Sequence, residues 1–267
     1  MTKYDDIIET VFKKHFTLGS VRIAFNREEL AEACDQLGIK RIKNIGDIPY
    51  SFRFRKELPI SIKATAPRDA EWIILGAGVG FYEFRLAAPA KIAPTNNRHR
   101  IKIPDATPEI VKKYAPGTDE QALLAKVRYN RLVDVFTGLT CYSIQNHLRT
   151  TVENIGQIEV DEIYLGVSKT GAHYVIPCQA KSSGDRFGIV QVMQDIELCK
   201  QRYSHALCRP IALQFLSEQD VAILELAVEE EKDVFRLTVI DERHYQLTRQ
   251  DGISEADIMA YCQQDGI

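Results

Sequence analysis

Three polar residues occupy positions along two apolar runs where they could carry out chemistry. The run HYVIPCQAK (173–181) carries Gln179 and Lys181 two positions apart, which puts both side chains on one face of a strand. A lysine at the end of an apolar strand is unusual, because lysine is almost never fully buried without a partner. Asp161 opens the preceding apolar run, and the turn at 169–171 predicts a hairpin. The hairpin would bring Asp161 opposite Gln179 and Lys181.

An acid, an amide and a lysine at one end of a hairpin suit metal-assisted hydrolysis of a phosphodiester. Magnesium prefers oxygen ligands, usually one or two carboxylates together with waters and phosphate oxygens. Asp161 can supply the carboxylate, and the Gln179 amide oxygen or the Ala180 carbonyl can supply neutral oxygens. Lys181 can hold or deprotonate the attacking water and offset developing negative charge. We therefore expect Mg²⁺ as the cofactor.

The elements around these residues follow a helix–strand–strand–helix–strand order. Asp119 caps a long helical stretch over 120–153, which Gly138 can divide, and two strands follow over 160–167 and 173–181. An amphipathic helix after Gly184 and an apolar run over 209–216 complete the order, which predicts an α/β fold.

The N-terminal part has a different pattern. Residues 2–16 predict a helix, and a capping box from Asn26 to Glu29 opens a second one. Residues 42–88 predict strands and turns, with aromatic and basic residues interleaved. Five of the ten prolines lie in 89–118, which indicates a connection. We expect two regions, an α+β region (1–105) that could recognise DNA and a catalytic domain (106–267).

The charge distribution favours a polyanion as partner, although the net charge is −3. Residues 1–150 carry 24 Lys and Arg against 17 Asp and Glu, whereas residues 151–267 carry 10 against 20. Local positive potential, rather than the sum over the chain, holds nucleic acid. This asymmetry indicates contact with nucleic acid through the N-terminal half.

The segment IEVDEIYLG…HYVIPCQAK resembles the PD-(D/E)XK signature of restriction-endonuclease-like nucleases, in a QxK variant. The 17 residues between Asp161 and Gln179 and the order of elements over about 119–216 fit that family. The resemblance implies a restriction-endonuclease-like core, a mixed sheet flanked by helices. It also implies a magnesium-dependent DNA endonuclease in which Asp161 binds metal and Lys181 is the catalytic lysine.

Two positions depart from the family pattern. Val160 replaces the proline, and Gln179 stands where the family usually has an acid. Family members with Gln there recruit another carboxylate, and the family often takes it from the preceding helix. We therefore expect Glu153 as a catalytic and metal-binding residue, with Glu159 and Glu162 as alternatives. Glu162 is less suitable, because it points to the opposite strand face from Asp161.

The expected partner is double-stranded DNA, bound by a homodimer that cuts both strands. A type II restriction enzyme or related defence nuclease, with a separately encoded methyltransferase, is the first interpretation. A structure-specific or repair nuclease such as a resolvase, and a nuclease-fold protein that binds DNA without cutting it, are the alternatives. His147 could contact the site, although a structural role is the stronger interpretation. The candidate DNA-contacting residues are Arg53, Arg55, Arg98, Arg100, Ser182, Ser183, Arg186 and Gln191.

Other motifs do not support a competing function. The glycines of GAGVGF (76–81) precede a strand-like run instead of the helix that a dinucleotide-binding loop requires, so a hairpin is favoured. The six cysteines form no CxxC pair, which indicates reduced buried thiols and no structural zinc. The charged N-terminus and the lack of a long apolar segment predict a cytoplasmic protein that does not enter a membrane.

Overall fold

We describe the protein from a computed structural model that covers residues 2–40, 42–114, 117 and 119–264. The helices are α1 (Lys3–His15), α2 (Arg27–Gln36), α3 (Asp47–Phe54), α4 (Ile60–Lys63), α5 (Glu109–Tyr114), α6 (Glu120–Tyr129), α7 (Leu132–Thr137), α8 (Ile189–Arg202) and α9 (Glu255–Gln264), with a short 3₁₀ helix at Gln250–Gly252. The strands are β1 (Arg22–Asn26), β2 (Glu71–Gly76), β3 (Phe81–Ala87), β4 (Lys91–Ile92), β5 (Arg100–Pro104), β6 (Thr140–Val152), β7 (Gly156–Val167), β8 (His173–Lys181), β9 (Phe187–Gly188), β10 (Leu207–Cys208), β11 (Ile211–Phe215), β12 (Asp220–Glu231) and β13 (Val234–Thr248).

A large mixed sheet of 11 strands organises the molecule. Its main path runs β1-β3-β13-β12-β11-β8-β7-β6, with β2 on β3, β5 on β13 and β10 on β8. Most neighbours are antiparallel, but β8 pairs with β11 in parallel, as β13 does with β3 and β5. The strands β4 and β9 form a separate small pair. The predicted α/β class, a mixed sheet flanked by helices, is therefore confirmed.

Helices cover the sheet where its side chains are apolar. In the N-terminal region, Phe12 of α1 packs edge-on against Trp72 and Phe84, with ring centroids 5.4 and 5.0 Å apart. Around β8, the helices α6 and α7 cover one face, and α8 packs against the other. This double cover explains why β8 is almost wholly apolar, since both of its faces are buried.

The predicted long helix over 120–153 is wrong in its second half. The helices α6 and α7 end at Tyr129 and Thr137, and Gly138 adopts a left-handed φ of 70° that closes α7. The following residues form the long edge strand β6. The segment 140–152 contains three threonines, a tyrosine, an isoleucine and a valine, which favour strands, and this preference prevails over the apparent helical spacing.

The prediction of strands and turns over 42–88 is wrong in its first part, because α3 and α4 form there. Ile48 and Phe52 are buried and lie four residues apart, which is helical spacing. The strands over 71–87 and the glycine-rich hairpin between them are confirmed, with Gly78 and Gly80 at positive φ.

The division of the chain near residue 105 stays a prediction. The main sheet crosses that point, because β3 and β5 both pair with β13. In the part of the chain that the structure covers, no helix has the length and apolar character needed to cross a membrane.

Gly76 joins the N-terminal region to the β6–β7 hairpin by close backbone packing. A Cβ atom at this position would lie 2.4 Å from the carbonyl oxygen of Ile155. We expect Gly76→Ala to destabilise the protein by about 1–3 kcal/mol, because backbone must move to relieve the overlap. Thermal unfolding would show a lower Tm. Gly188→Ala, where the added Cβ meets no atom within 4 Å, is the control, and equal Tm values for the two variants would contradict this packing.

Candidate active site

The strands β7 and β8 separate at the position of Asp161. They pair from Val167 and His173 as far as Glu162 and Cys178. Beyond that point β7 stays paired with β6, whereas Gln179 to Lys181 pair with β11. The Asp161 carboxylate lies at this fork and accepts a hydrogen bond from the Ala180 backbone N–H at 2.8 Å. The predicted hairpin is thus confirmed, and it brings Asp161 to the end of β8 that carries the other two residues.

The environment of Asp161 is unfavourable for its own negative charge. Burial raises the pKa of this carboxyl above its ordinary value, and nearby Glu120 raises it further. The hydrogen bond from Ala180 and the positive charge of Lys181 act in the opposite direction but do not cancel the effect of burial. An additional cation at the fork would therefore stabilise the ionised form.

Lys181 ends β8 and points towards the start of α6. Its Nζ lies 3.6 Å from Oε1 of Glu120, the first residue of that helix. Asp119 fixes the start of α6, because its side chain accepts a hydrogen bond from the Ala122 N–H at 2.8 Å. Helix capping thus places a second carboxylate beside the lysine and within electrostatic range of Asp161.

Gln179 connects the strand to a buried acid on α8. Its amide nitrogen donates to the two oxygens of Asp195 at 3.1 and 3.0 Å and approaches the Glu159 carbonyl at 3.3 Å. Asp195 is 1% exposed, and burial raises its pKa well above the ordinary value. Repulsion from Asp161 contributes in the same direction. The half-buried carboxyl of Asp161 and the buried carboxyl of Asp195 therefore repel each other across the fork.

Glu153 does not take the position expected of it. The helix that was to carry it is absent, and Glu153 lies in the turn of the β6–β7 hairpin. There its backbone N–H donates to Oε1 of Gln201 at 3.0 Å, and its carbonyl accepts from the same side chain at 3.2 Å. Asp161 lies several residues further along β7, so the strand itself separates the two carboxylates.

The two alternative acids on β7 also have other partners. Glu162 is fully buried on the face opposite Asp161, as its position in the strand predicted, and it forms two 3.0 Å hydrogen bonds with Arg128. Glu159 is exposed and lies 3.2 Å from Arg149. The carboxylates that act on Asp161 come instead from α6 and α8.

His147 lies on β6 at the rim of the fork. Its Nε2 is 2.6 Å from the amide nitrogen of Gln121, and its Nδ1 is 4.0 Å from Glu159. The Gln121 amide can donate a hydrogen bond to this ring nitrogen. His147 has a φ of 45°, which is uncommon for residues other than glycine and which clusters at functional sites.

Comparisons with known proteins give no family assignment. No protein-family model, curated protein or solved structure matches the chain.

The donor atoms at the fork suit magnesium. Among the residues that the structure describes, no three His, Cys, Asp or Glu side chains are grouped closely enough to hold a metal by themselves. Magnesium does not require such a group, because it usually keeps several waters and takes one or two protein carboxylates. The Asp161 carboxylate is half-buried, and its negative charge is poorly compensated by its surroundings. It could therefore serve as one such carboxylate, with Glu120 or Asp195 as the second acid.

Several of the candidate DNA-contacting residues are paired within the protein. Arg98 lies 3.5 Å from Glu242, and Arg100 lies 3.1 Å from Asp220. These two ion pairs neutralise part of the charge that the sequence suggested for DNA contact.

The other candidates divide into three locations. Arg53 and Arg55 lie in and just after α3 instead of on a basic strand, and Arg53 is mostly buried. Ser182, Ser183 and Arg186 occupy the loop after Lys181, and Arg186 donates to the Lys91 carbonyl at 3.2 Å. Gln191 borders a void of about 10 Å³ that Gln179 and Asp195 also line.

Sequence reasoning missed Glu120, Gln121 and Asp195. For Asp195 a signal was present, because the residue falls on the apolar side of an amphipathic helix, three positions after Val192 and three before Leu198. A charged residue on such a face is rarely buried without a specific role. Glu120 carried no comparable signal, since an acid in the first turn of a helix is common.

Proposed function

We propose that this chain is a metal-dependent DNA endonuclease that hydrolyses phosphodiester bonds. The observation that supports it best is the fork, where a half-buried carboxylate with a raised pKa lies near a lysine from the neighbouring strand. Perturbed acids of this kind concentrate at catalytic sites. The proposed role is that of a type II restriction enzyme or related defence nuclease.

Each residue at the fork has a task in this proposal. Asp161, the Ala180 carbonyl and either Glu120 or Asp195 would hold Mg²⁺, and the metal would supply acidification of a water and stabilisation of charge on the phosphate. Lys181 would orient the attacking water and offset negative charge that develops on the phosphate. The hydrogen bond from Ala180 to one oxygen of Asp161 fixes the carboxylate and leaves its other oxygen for a cation.

The surroundings of the fork support a restriction-endonuclease-like core. A β7–β8 hairpin leads into α8, which is followed by β11 in parallel with β8, and helices cover both faces. The proposed substrate is double-stranded DNA, cut by a homodimer so that both strands are hydrolysed.

Incubation of plasmid DNA with the protein in Mg²⁺ or in EDTA tests this function. We expect discrete fragments in Mg²⁺ only, and a loss of about 10²-fold or more in the cleavage rate for Lys181→Ala. Lys169→Ala is the matched control, because Lys169 is exposed in the turn at the opposite end of the same hairpin. Equal cleavage by wild type and Lys181→Ala would contradict the proposal.

A second candidate function is DNA binding without cleavage. Gln179 favours it, because an amide replaces one ligand charge and its nitrogen is engaged by Asp195. Retarded but uncut plasmid in a mobility-shift assay at low salt would support this function. Cleavage confined to branched DNA would instead indicate a structure-specific nuclease. If neither binding nor cleavage occurs, the nucleic-acid proposal as a whole is wrong.

A further inference from the structure

A cavity of about 300 Å³ lies beside α8, on a different side of the helix from Asp195. It is open to solvent and is lined by α3, the end of β2, the β6–β7 turn, α8 and the strands β12 and β13. Its apolar wall includes Leu75, Ile155, Met193 and Phe235. This volume is at the lower end of the range for small-molecule sites, which are mostly apolar with a few polar groups.

Arg53 lines this cavity without an anionic partner. Its Nε and Nη2 are buried and have no hydrogen-bond partner, and its guanidinium carbon lies 5.0 Å from the Phe54 ring centroid. No ion pair links it to a carboxylate within the described ranges. Burial lowers the pKa of Arg53, and the smaller opposing effects of Tyr82 and Tyr50 do not cancel it. A buried cation without an anion is costly, so folding alone does not account for its position.

Gln194 supplies a second unpartnered donor on the same wall. The residue is 5% exposed, and its amide nitrogen has no hydrogen-bond partner. A buried amide normally finds an acceptor, because an unpaired donor costs about 1–3 kcal/mol. Arg53 and Gln194 thus line one cavity, and each has buried donor atoms without an acceptor.

The acids around the cavity are partly neutralised by other cations. Glu230 forms an ion pair with Arg85, and Glu197 lies 3.5 Å from Lys200. Lys200 also lines the cavity. Glu229 also lines the cavity, but it is exposed to solvent. The buried unpaired charge in the wall is therefore the positive one of Arg53, which favours an anionic occupant.

We propose that this cavity binds a small organic anion with a single phosphate or carboxylate group on an apolar or aromatic body. The anionic group would be bound by Arg53 and Gln194, and the body would pack on the apolar wall. Charge-assisted hydrogen bonds to a guanidinium are among the strongest that a protein forms. This site is independent of the proposed nuclease activity.

Calorimetric titration and thermal unfolding of the full chain test the proposal with two probes. Deoxyadenosine 5′-monophosphate represents the phosphate class and benzoate the carboxylate class, with deoxyadenosine and benzamide as their uncharged counterparts. We expect at least one anionic probe to bind and raise the Tm, while its uncharged counterpart does neither. Binding of one probe alone supports the site and identifies the anionic group. If neither anion binds at about 10 mM, the proposal is wrong.

Variants assign the binding to this cavity. Arg53→Met is expected to weaken the probe at least about tenfold without lowering the Tm of the free protein, because it removes an unpaired buried charge. Gln194→Leu is expected to weaken binding in the same direction, and it serves if Arg53→Met does not fold. Arg55→Met is the matched control, since Arg55 is exposed and stacks on Tyr50. Unchanged affinity in a folded Arg53→Met or Gln194→Leu variant would place the ligand elsewhere.

Discussion

Replacement of Asp161 by asparagine is expected to reduce magnesium-dependent DNA cleavage by at least about 10³-fold while the fold is retained. Asparagine keeps an oxygen that can accept the Ala180 N–H, so the fork does not lose its bridging hydrogen bond. It lacks the negative charge that the proposed Mg²⁺ site requires. Metal coordination contributes several kcal/mol to the stabilisation of the transition state, and each 1.36 kcal/mol is tenfold in rate.

Stability measurements separate loss of chemistry from loss of structure. Because burial raises the pKa of Asp161, its ionised form is disfavoured in the folded protein. Asp161→Asn should therefore have a Tm equal to or above that of the wild type near neutral pH. Glu153→Gln is the control, because Glu153 lies in the exposed turn of the β6–β7 hairpin, and it should cleave like the wild type. Cleavage by Asp161→Asn within tenfold of the wild-type rate would show that Asp161 is not essential to the reaction.

The hairpin that forms the fork could be predicted from the sequence, because the residues that specify it are neighbours along the chain. Apolar runs on either side of a Gly-containing turn specify two paired strands, and pairing fixes which residues face each other. This is why the position of Asp161 relative to Gln179 and Lys181 followed from spacing alone.

The second acid could not be predicted in the same way. The expectation of Glu153 depended on a helix continuing to residue 153, whereas the strand-forming residues of 140–152 place Glu153 in a turn. Glu120 and Asp195 reach the fork only because α6 and α8 pack on opposite faces of β8. Such contacts depend on tertiary packing, which cannot be predicted from the spacing of residues within one segment of the chain.

The charge distribution along the sequence also differs from the distribution in the folded protein. The excess of basic residues in the first half of the chain suggested a DNA-contacting surface. Yet Arg100 pairs with Asp220 on β12, and Arg98 pairs with Glu242 on β13. Because the main sheet joins the basic half of the chain to the acidic half, part of the asymmetry along the sequence cancels in space.

Asp195→Asn is expected to make the protein more stable and less active at the same time. The buried carboxyl has a pKa well above its ordinary value, so at alkaline pH the folded protein must hold a poorly compensated charge. Asparagine removes that charge and keeps an oxygen for the Gln179 amide. We expect the Tm at about pH 8 to rise by about 3–6 °C, and the cleavage rate to fall by about 10²-fold.

The pH dependence of stability gives the sign of this effect. A carboxyl whose folded-state pKa is raised binds more protons in the folded than in the unfolded chain, so it favours folding at low pH. That contribution is lost as the pH rises from the unfolded pKa through the raised folded pKa. The wild-type Tm should therefore decline over this range, and the decline should be shallower in Asp195→Asn.

The combination of the two measurements distinguishes a functional acid from a structural one. If Asp195 has only a structural role, Asp195→Asn should cleave DNA at the wild-type rate. If, in addition, the hydrogen bonds from Gln179 fully compensate the buried charge of Asp195, the Tm of the variant should be unchanged or lower. Glu197→Gln, two positions along the same helix and paired with Lys200, should alter neither cleavage nor the slope of Tm with pH. A gain in stability together with a loss of cleavage is expected where a buried charge serves catalysis. Such a charge destabilises the folded protein as long as no metal is bound, so its removal raises the stability and lowers the activity. We expect this pair of effects at Asp195, because its carboxyl lies behind Gln179, at the position where the active site lacks an acid.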